Sequence, residues 1–187
     1  MPLAYAEPEI VTRFLWDVDR YEEAVRLGVF GPDDKIQLID GEIINMSPQL
    51  SPHSTAIRLA NAALERVFTH GHDVRTQLPL RLGADSMPEP DVAVVRGAIR
   101  DYARAHPRTA VLIVEVADST LAFDRRRKLA LYARNGVPEY WIVNLPDACV
   151  EVHRQPAGET YGERRVFHAG ETIEVGGATI PVADLLP

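Results

Sequence analysis

Three carboxylates, Glu42, Asp91 and Glu115, lie in or beside segments that read as β-strands. Glu115 is the most unusual of them, because it stands inside the apolar run 111–116. Burying a carboxylate without a partner costs free energy or shifts its pKa strongly. A metal ion or a lysine is therefore expected beside Glu115, and Lys128 follows on the next predicted helix.

Asp91 begins a second apolar run, 91–95, and strand alternation places it on one face with Ala93 and Val95. If this strand pairs with the strand of Glu115, the two carboxylates come within bridging distance of one metal ion. A carboxylate set without a cysteine or histidine pair is hard and oxygen-rich, and it selects Mg²⁺ or Mn²⁺ rather than zinc. With a lysine nearby, such a set is suited to phosphodiester hydrolysis, because the metal makes water more acidic while the lysine positions the water.

The same residues also allow a purely structural interpretation. Asp91 would then cap a turn after Pro90, and Glu115 would pair with an arginine. The spacing of the residues by itself supports the two interpretations equally.

The segments around these acids read as a mixture of helices and strands. Asp17 is a suitable N-cap for a helix over 18–27, and Asp40-Gly41 is a two-residue turn that predicts a hairpin over 35–46. One strand, or two broken near Pro79, is predicted over 74–82. Further strands are predicted over 91–95, 110–116, 139–143, 149–153, 161–167 and 171–175, and further helices over 51–69, 124–134 and 182–186. This order predicts an α/β fold in which a central mixed sheet is flanked by helices, with extra C-terminal strands. No glycine-rich loop follows a strand, so no nucleotide cofactor is expected.

The composition is that of one ordinary globular domain over residues 1–187, with an irregular lead-in over 1–11. Its formal net charge of -7 disfavours unaided, non-specific binding to nucleic acid but allows a local basic groove. A single cysteine, Cys149, suits a reducing cytoplasm. The absence of a signal-peptide pattern and of a long apolar run predicts a cytoplasmic protein without a membrane segment.

Six motifs are spread along the chain, namely LIDGEII at 38–44, MSP at 46–48, PEPDVAV at 88–94, EVADS at 115–119, KLALYA at 128–133 and GVPEYWIV at 136–143. Together they resemble the Uma-two family, a branch of the PD-(D/E)XK, or restriction-endonuclease-like, nucleases. The resemblance extends over about residues 17–186. It implies a restriction-endonuclease-like sheet flanked by helices and a magnesium-dependent nuclease site.

The resemblance also implies which residues form that site. Asp91 supplies the acid of the PD element, and Glu115 supplies the second acid. Both are implied as catalytic residues and as ligands of Mg²⁺ or Mn²⁺. The backbone carbonyl of Val116 is implied as a further ligand, and Glu42 resembles the extra acid that some members use as another metal contact.

The lysine of the pattern is displaced in this chain. The superfamily usually places a lysine two residues after the second acid, where this sequence has Ala117. The resemblance assigns the role to Lys128 on the following helix, which must then point back over the edge of the sheet. Asp124 lies one helical turn before Lys128 and is interpreted as a helix cap or as its ion-pair partner.

Four further side chains are candidates for contact with the substrate. Arg125 and Arg126 stand beside the lysine at a helix start, where positive charge opposes the helix dipole, so a contact with phosphate would explain them. A solvated helix face is the alternative. His53 begins a predicted helix, and Gln77 reaches the site if its strand pairs with that of Asp91.

The function expected from these features is that of an endonuclease that hydrolyses DNA phosphodiester bonds through a water activated by Mg²⁺. The partners expected are DNA and a second copy of the chain, because a homodimer would help an acidic protein to hold DNA. A catalytically silent binding or regulatory module with the same fold is the alternative. A glycosidase with paired carboxylates is disfavoured, because aromatic residues make up 7% and lie within apolar patterns.

Overall fold

The computed structural model describes residues 12–31, 33–46 and 48–187. The predicted lead-in over 1–11 and Ser47 of the second motif lie outside these ranges. Within them, no helix is both long and apolar enough to cross a membrane.

The described residues form ten strands and three main helical segments. The strands are β1 (Ile36–Ile39), β2 (Glu42–Asn45), β3 (His72–Thr76), β4 (Val92–Arg96), β5 (Leu112–Ala117), β6 (Glu139–Asn144), β7 (Cys149–Ala157), β8 (Thr160–His168), β9 (Thr172–Val175) and β10 (Ala178–Pro181). Helix α1 covers Val18–Arg26, and helix α2 covers Ser51–Val67. The third segment runs from Leu121–Phe123 through a π-helical turn, Asp124–Lys128, into Leu129–Arg134, and is called the lysine helix.

Strands β3 to β8 form one six-stranded sheet in chain order. All neighbours are antiparallel except β5 and β6, which are parallel. A parallel pair needs a crossover connection, and the lysine helix supplies it. The predicted mixed sheet flanked by helices is therefore confirmed.

Each face of the sheet is covered by one helix, which explains why β5 is buried along its whole length. Val114 and Trp141 pack on the α2 side, whereas Ile113 and Tyr140 pack on the side of the lysine helix. Glu115 shares the second face with Ile113, because side chains along a strand alternate. The acid therefore points towards the helix that carries Lys128.

The hairpin β1–β2 is confirmed, with Ile39 paired to Glu42 across the Asp40-Gly41 turn. Both turn residues have positive φ, 53° and 73°, as a type I′ turn requires. Asp17 caps α1 as predicted, since its side chain accepts a hydrogen bond from the Arg20 N–H.

Several element boundaries differ from the sequence prediction. Strand β7 runs to Ala157, four residues beyond its predicted end. Strand β3 ends at Thr76, ahead of the break predicted near Pro79, because Gln77 has a φ of 51° and Pro79 has no N–H for a ladder. The lysine helix begins at Leu121, three residues before the predicted start. The C-terminal strand pair includes β10, which was not predicted, and the expected final helix is a single 3-10 turn, Val182–Asp184.

Candidate functional site

Asp91 and Glu115 lie opposite each other on two paired strands, at the point where β4 begins. Strands β4 and β5 pair Val92 with Val114, so the next position in the register places Asp91 against Glu115. Both carboxylates are buried, with exposures of 8% and 2%. The expected pairing of their strands is confirmed, and it brings the two acids to one point.

Asp91 is held by hydrogen bonds at both of its oxygen atoms. Its Oδ2 accepts from the Val116 N–H at 2.8 Å, and its Oδ1 accepts from Gln77 Nε2 at 3.4 Å. His53 Nε2 lies 3.5 Å from the same Oδ1, and this contact raises the pKa of the imidazole. His53 and Gln77 thus both reach the predicted site, where they contact the acid.

Glu115 is contacted by a lysine and by a tyrosine. Lys128 Nζ lies 2.8 Å from Oε2, and the Tyr132 hydroxyl donates to Oε1 at 2.6 Å. Burial is the main reason that the pKa of Glu115 is raised, to about 7, although the Lys128 charge opposes the rise. Lys128 therefore points back from the lysine helix to Glu115, in a chain that has Ala117 at the usual position of the lysine.

The lysine helix places two charged side chains against the acids. Burial opposes the charge of Lys128, but Glu115, Asp124 and Asp91 together raise the pKa of its amine. Asp124 Oδ1 lies 3.9 Å from Lys128 Nζ, and Asp124 Oδ2 accepts from the Thr120 hydroxyl at 2.7 Å. Asp124 is therefore the lysine's ion-pair partner and not the helix cap. Both residues belong to the π turn, a rare geometry that is frequent at functional sites.

These side chains line a cleft of about 240 Å³ between hairpin β1–β2, α2 and the lysine helix. Four carboxylates face it, namely Glu89, Asp91, Glu115 and Asp124. Burial is the leading cause of raised pKa values at Glu89 and Asp124, as at Glu115. Lys128 and His53 are its basic side chains, so the cleft carries more acidic than basic groups.

This surplus of buried negative charge suits a divalent cation. In the described part of the chain, no three His, Cys, Asp or Glu residues are grouped so as to hold a metal. Asp91 and Glu115 nevertheless give two hard donors, and Mg²⁺ commonly binds one or two carboxylates with water and substrate phosphate. Val116, whose N–H donates to Asp91, also lines the cleft. The donor set therefore fits a magnesium site.

Glu42 does not face the cleft. Its carboxylate lies 2.7 Å from Arg127 and 3.0 Å from Arg13, and the Arg127 hydrogen bond is the main cause of its lowered pKa. The structure therefore places Glu42 in a surface ion-pair network and not with Asp91 and Glu115.

The two arginines predicted to contact phosphate differ in their surroundings. Arg125 donates to the buried Glu151 on β7, with Nε 3.0 Å from Oε1. Arg126 is exposed and forms no hydrogen bond or ion pair within the described ranges. Arg126 alone of the two is available to a substrate without breaking an existing contact.

Tyr132, which donates to Glu115, and Glu89, which lines the cleft, were not predicted as site residues. Tyr132 lies four residues after Lys128, so the helical spacing of the two could have indicated that both face Glu115. Glu89 stands two residues before Asp91, in the motif that carries the first acid, but its direction depends on the turn at Pro90.

The chain resembles known proteins in sequence and in fold. The model of the Uma2 family, described as "Putative restriction endonuclease", matches residues 18–182. Among solved structures, the chain is similar to "a putative nuclease belonging to DUF820" from Anabaena variabilis ATCC 29413. The TM-score is 0.69 at 17% identity, and the match covers 86% of this chain and 94% of the other. No curated protein matches significantly. The structural likeness shows a shared fold.

Proposed function

This chain belongs to the Uma2 family, whose description supports a nuclease role, and on that premise we propose that it is an endonuclease that hydrolyses DNA with Mg²⁺ or Mn²⁺. The observation that carries the proposal is the meeting of Asp91, Glu115 and Lys128 in one cleft. An excess of acid with a single buried ammonium is suited to binding a cation and a phosphate together.

Asp91, Glu115 and the Val116 carbonyl would hold the cation. When bound, Mg²⁺ would neutralise phosphate charge and make water a better nucleophile. Hydrogen bonds from the Val116 N–H and from Gln77 Nε2 fix both oxygens of Asp91, which lines the cleft. Preorganised donors of this kind cost little reorganisation during the reaction.

Lys128 would act on the phosphate and on the attacking water. Its amine stays protonated beside Glu115, so it brings positive charge to the place where negative charge develops. Tyr132 fixes the second oxygen of Glu115 and thereby keeps the carboxylate in the orientation that faces the lysine.

The first test is cleavage of supercoiled plasmid DNA by the purified chain with Mg²⁺ or Mn²⁺. We expect nicking by the native chain and none by Asp91→Asn or Glu115→Gln. The matched control is Asp184→Asn, which alters an exposed acid paired with Arg66 and should leave nicking unchanged.

A second readout is metal binding without cleavage. We expect Mn²⁺ to raise the melting temperature of the native chain and of Asp184→Asn, but not of Asp91→Asn. A melting temperature that Mn²⁺ does not change in the native chain, together with intact plasmid, would contradict the proposal. Metal binding with no cleavage would instead indicate a catalytically silent module.

A further inference from the structure

The cleft continues into a second groove along hairpin β1–β2. This outer groove has a volume of about 290 Å³ and shares Met46, Gln49 and Glu89 with the cleft. It extends past Glu89 towards Gln77 and Lys35. The acids are therefore at one end of a longer channel, and a bound phosphate would have room for the nucleotide beside it.

The walls of this channel are rich in amides and apolar side chains. The amides are Gln37, Asn45, Gln49 and Gln77, and the apolar side chains include Ile44, Met46 and Phe123. An aromatic ring and neutral donors and acceptors together are the groups that proteins use to stack a nucleobase and to read its edge.

Gln37 is the most telling of the amides, because it is 5% exposed within an otherwise apolar strand. Its Oε1 accepts a hydrogen bond from the Glu89 N–H at 3.3 Å. No described residue accepts from its Nε2, although Gln37 lines the cleft. This donor is open to the channel and not sealed off from solvent, so a base edge that enters the channel can accept from it in place of water.

The pairing of the arginine side chains near the cleft disfavours binding of duplex DNA. Arg125 is bound to Glu151, and Arg127 and Arg134 are bound to Asp40. Duplex binding draws its affinity from many phosphate contacts, which these paired arginines cannot make without losing their partners. A base that enters this channel, with a face against Phe123 and its edge at Gln37, must first leave the base stack, which an unpaired nucleotide has already done.

We propose that the channel binds an unpaired nucleotide next to the scissile phosphate, so that the substrate is single-stranded DNA or an unpaired region of a duplex. The proposal rests on the proposed nuclease function for the position of the phosphate. Gln37 would read the base, Phe123 and Met46 would contact its faces, and Asp91 would stand at the phosphate.

The test compares one labelled oligodeoxynucleotide as a single strand and as a duplex. Binding is measured by fluorescence anisotropy with Lys128→Met and Mn²⁺, because this variant should keep the cation but cut slowly, and cutting is measured with the native chain and Mn²⁺. We expect the single strand to bind and to be cut about tenfold better than the duplex. The dependence of binding on salt should correspond to about one or two phosphate contacts.

A variant isolates the role of the amide. Gln37→Met keeps the size of the side chain but removes both hydrogen-bonding groups, and it should lower single-strand cutting about tenfold while duplex cutting is unchanged. Gln155→Met, at an exposed position of β7 outside the channel, is the control. Melting temperatures of both variants establish that a loss of cutting does not reflect unfolding.

The two proposals fail in different ways. Equal binding and cutting of single strand and duplex, or no effect of Gln37→Met on single-strand cutting, would overturn the channel proposal and leave the nuclease proposal standing. Gln37-dependent binding of single strands without any cleavage would contradict the nuclease proposal and leave the channel proposal standing.

Discussion

Glu115 combines a high cost of burial with a proposed function. The carboxylate is 2% exposed, and burial raises its pKa to about 7. Lys128 and Tyr132 satisfy its two oxygens, but they do not remove the surplus negative charge that Asp91 and Asp124 add. Lys128 and Tyr132 thus stabilise Glu115 enough for the chain to fold, and the remaining negative charge favours the binding of a cation.

The hydroxyl of Tyr132 gives a prediction at this scale. Tyr132→Phe removes the donor to Glu115 Oε1, so we expect cleavage to fall about tenfold and the free energy of unfolding to fall by about 1 kcal/mol. Tyr161→Phe is the matched control, because it also loses one buried hydroxyl contact, to the Val137 carbonyl. Single-turnover cleavage that falls equally in both variants would assign Tyr132 a structural role only.

Lys128→Met tests the displaced lysine. Without the ammonium, the neighbouring Glu115 should take up a proton, so the fold should survive while the positive charge in the cleft is lost. We expect the cleavage rate to fall by about 10²–10³, with Mn²⁺ still raising the melting temperature. Arg108→Met removes an exposed charge outside the cleft and should change the rate little. A Lys128→Met chain that cuts normally would exclude the lysine from the chemistry.

Asp91 and Glu115 could be predicted as neighbours only on the condition that their strands pair, because the continuous apolar runs 91–95 and 111–116 do not fix the register. The role of Lys128 came from resemblance to a family and not from spacing. The ion pairs of Glu42 could not be predicted, since Arg127 reaches it only when the hairpin packs on the lysine helix, 85 residues along the chain. The ion-pair partners of surface charges depend on long-range packing, which a local sequence pattern does not predict.

At the scale of elements, Glu151 joins the lysine helix to the sheet. It is fully buried on β7 and accepts hydrogen bonds from Arg125 of the lysine helix, Arg164 of β8 and Asn144 of β6. Burial alone would raise the pKa of this carboxyl, but contacts with His153, Arg125, Arg164 and Asn144 outweigh burial and lower it. The contact that occupies Arg125 therefore stabilises the position of the helix that carries Lys128.

The lowered pKa of Glu151 predicts how stability depends on pH. Its ionised form is favoured in the fold, so its contribution is present above the ordinary pKa of 4.5 and is lost as the pH falls below that value. We expect Glu151→Gln to lower the free energy of unfolding by about 2 kcal/mol at neutral pH, with the difference shrinking towards pH ~3. Urea unfolding at several pH values measures it, with Glu163→Gln on β8 as the control. A difference that does not change with pH would contradict an ionised Glu151.

Most elements could be predicted from local patterns, and the exceptions have physical causes. The hairpin follows from Asp40-Gly41, whose positive φ values few other pairs accept. The π turn could not be predicted, because Asp124–Lys128 contains ordinary helix formers and adopts this winding against the sheet. The early end of β3 depends on Gln77, which bonds to Asp91 and leaves the ladder.

At the scale of the whole molecule, the net charge of -7 must be reconciled with a nucleic-acid substrate. Phosphate attraction is weak for such a chain, so affinity has to come from a bound cation and from contacts inside the channel. The homodimer expected from the sequence stays a prediction, which light scattering at several concentrations measures.

The rates at which supercoiled and relaxed plasmid DNA are nicked test how much the channel contributes to substrate binding. Negative supercoiling favours local opening of the duplex, which would expose unpaired nucleotides to the channel. We expect the chain to nick negatively supercoiled plasmid about tenfold faster than the same plasmid relaxed beforehand, and nicked circles to accumulate because nicking removes the supercoiling. Gln37→Met should reduce this difference, whereas Gln155→Met should keep it. Equal rates of cutting for relaxed and supercoiled plasmid would instead indicate a duplex substrate. Direct conversion of supercoiled plasmid to linear DNA would also indicate a duplex substrate, and it would point to two clefts acting together in a dimer.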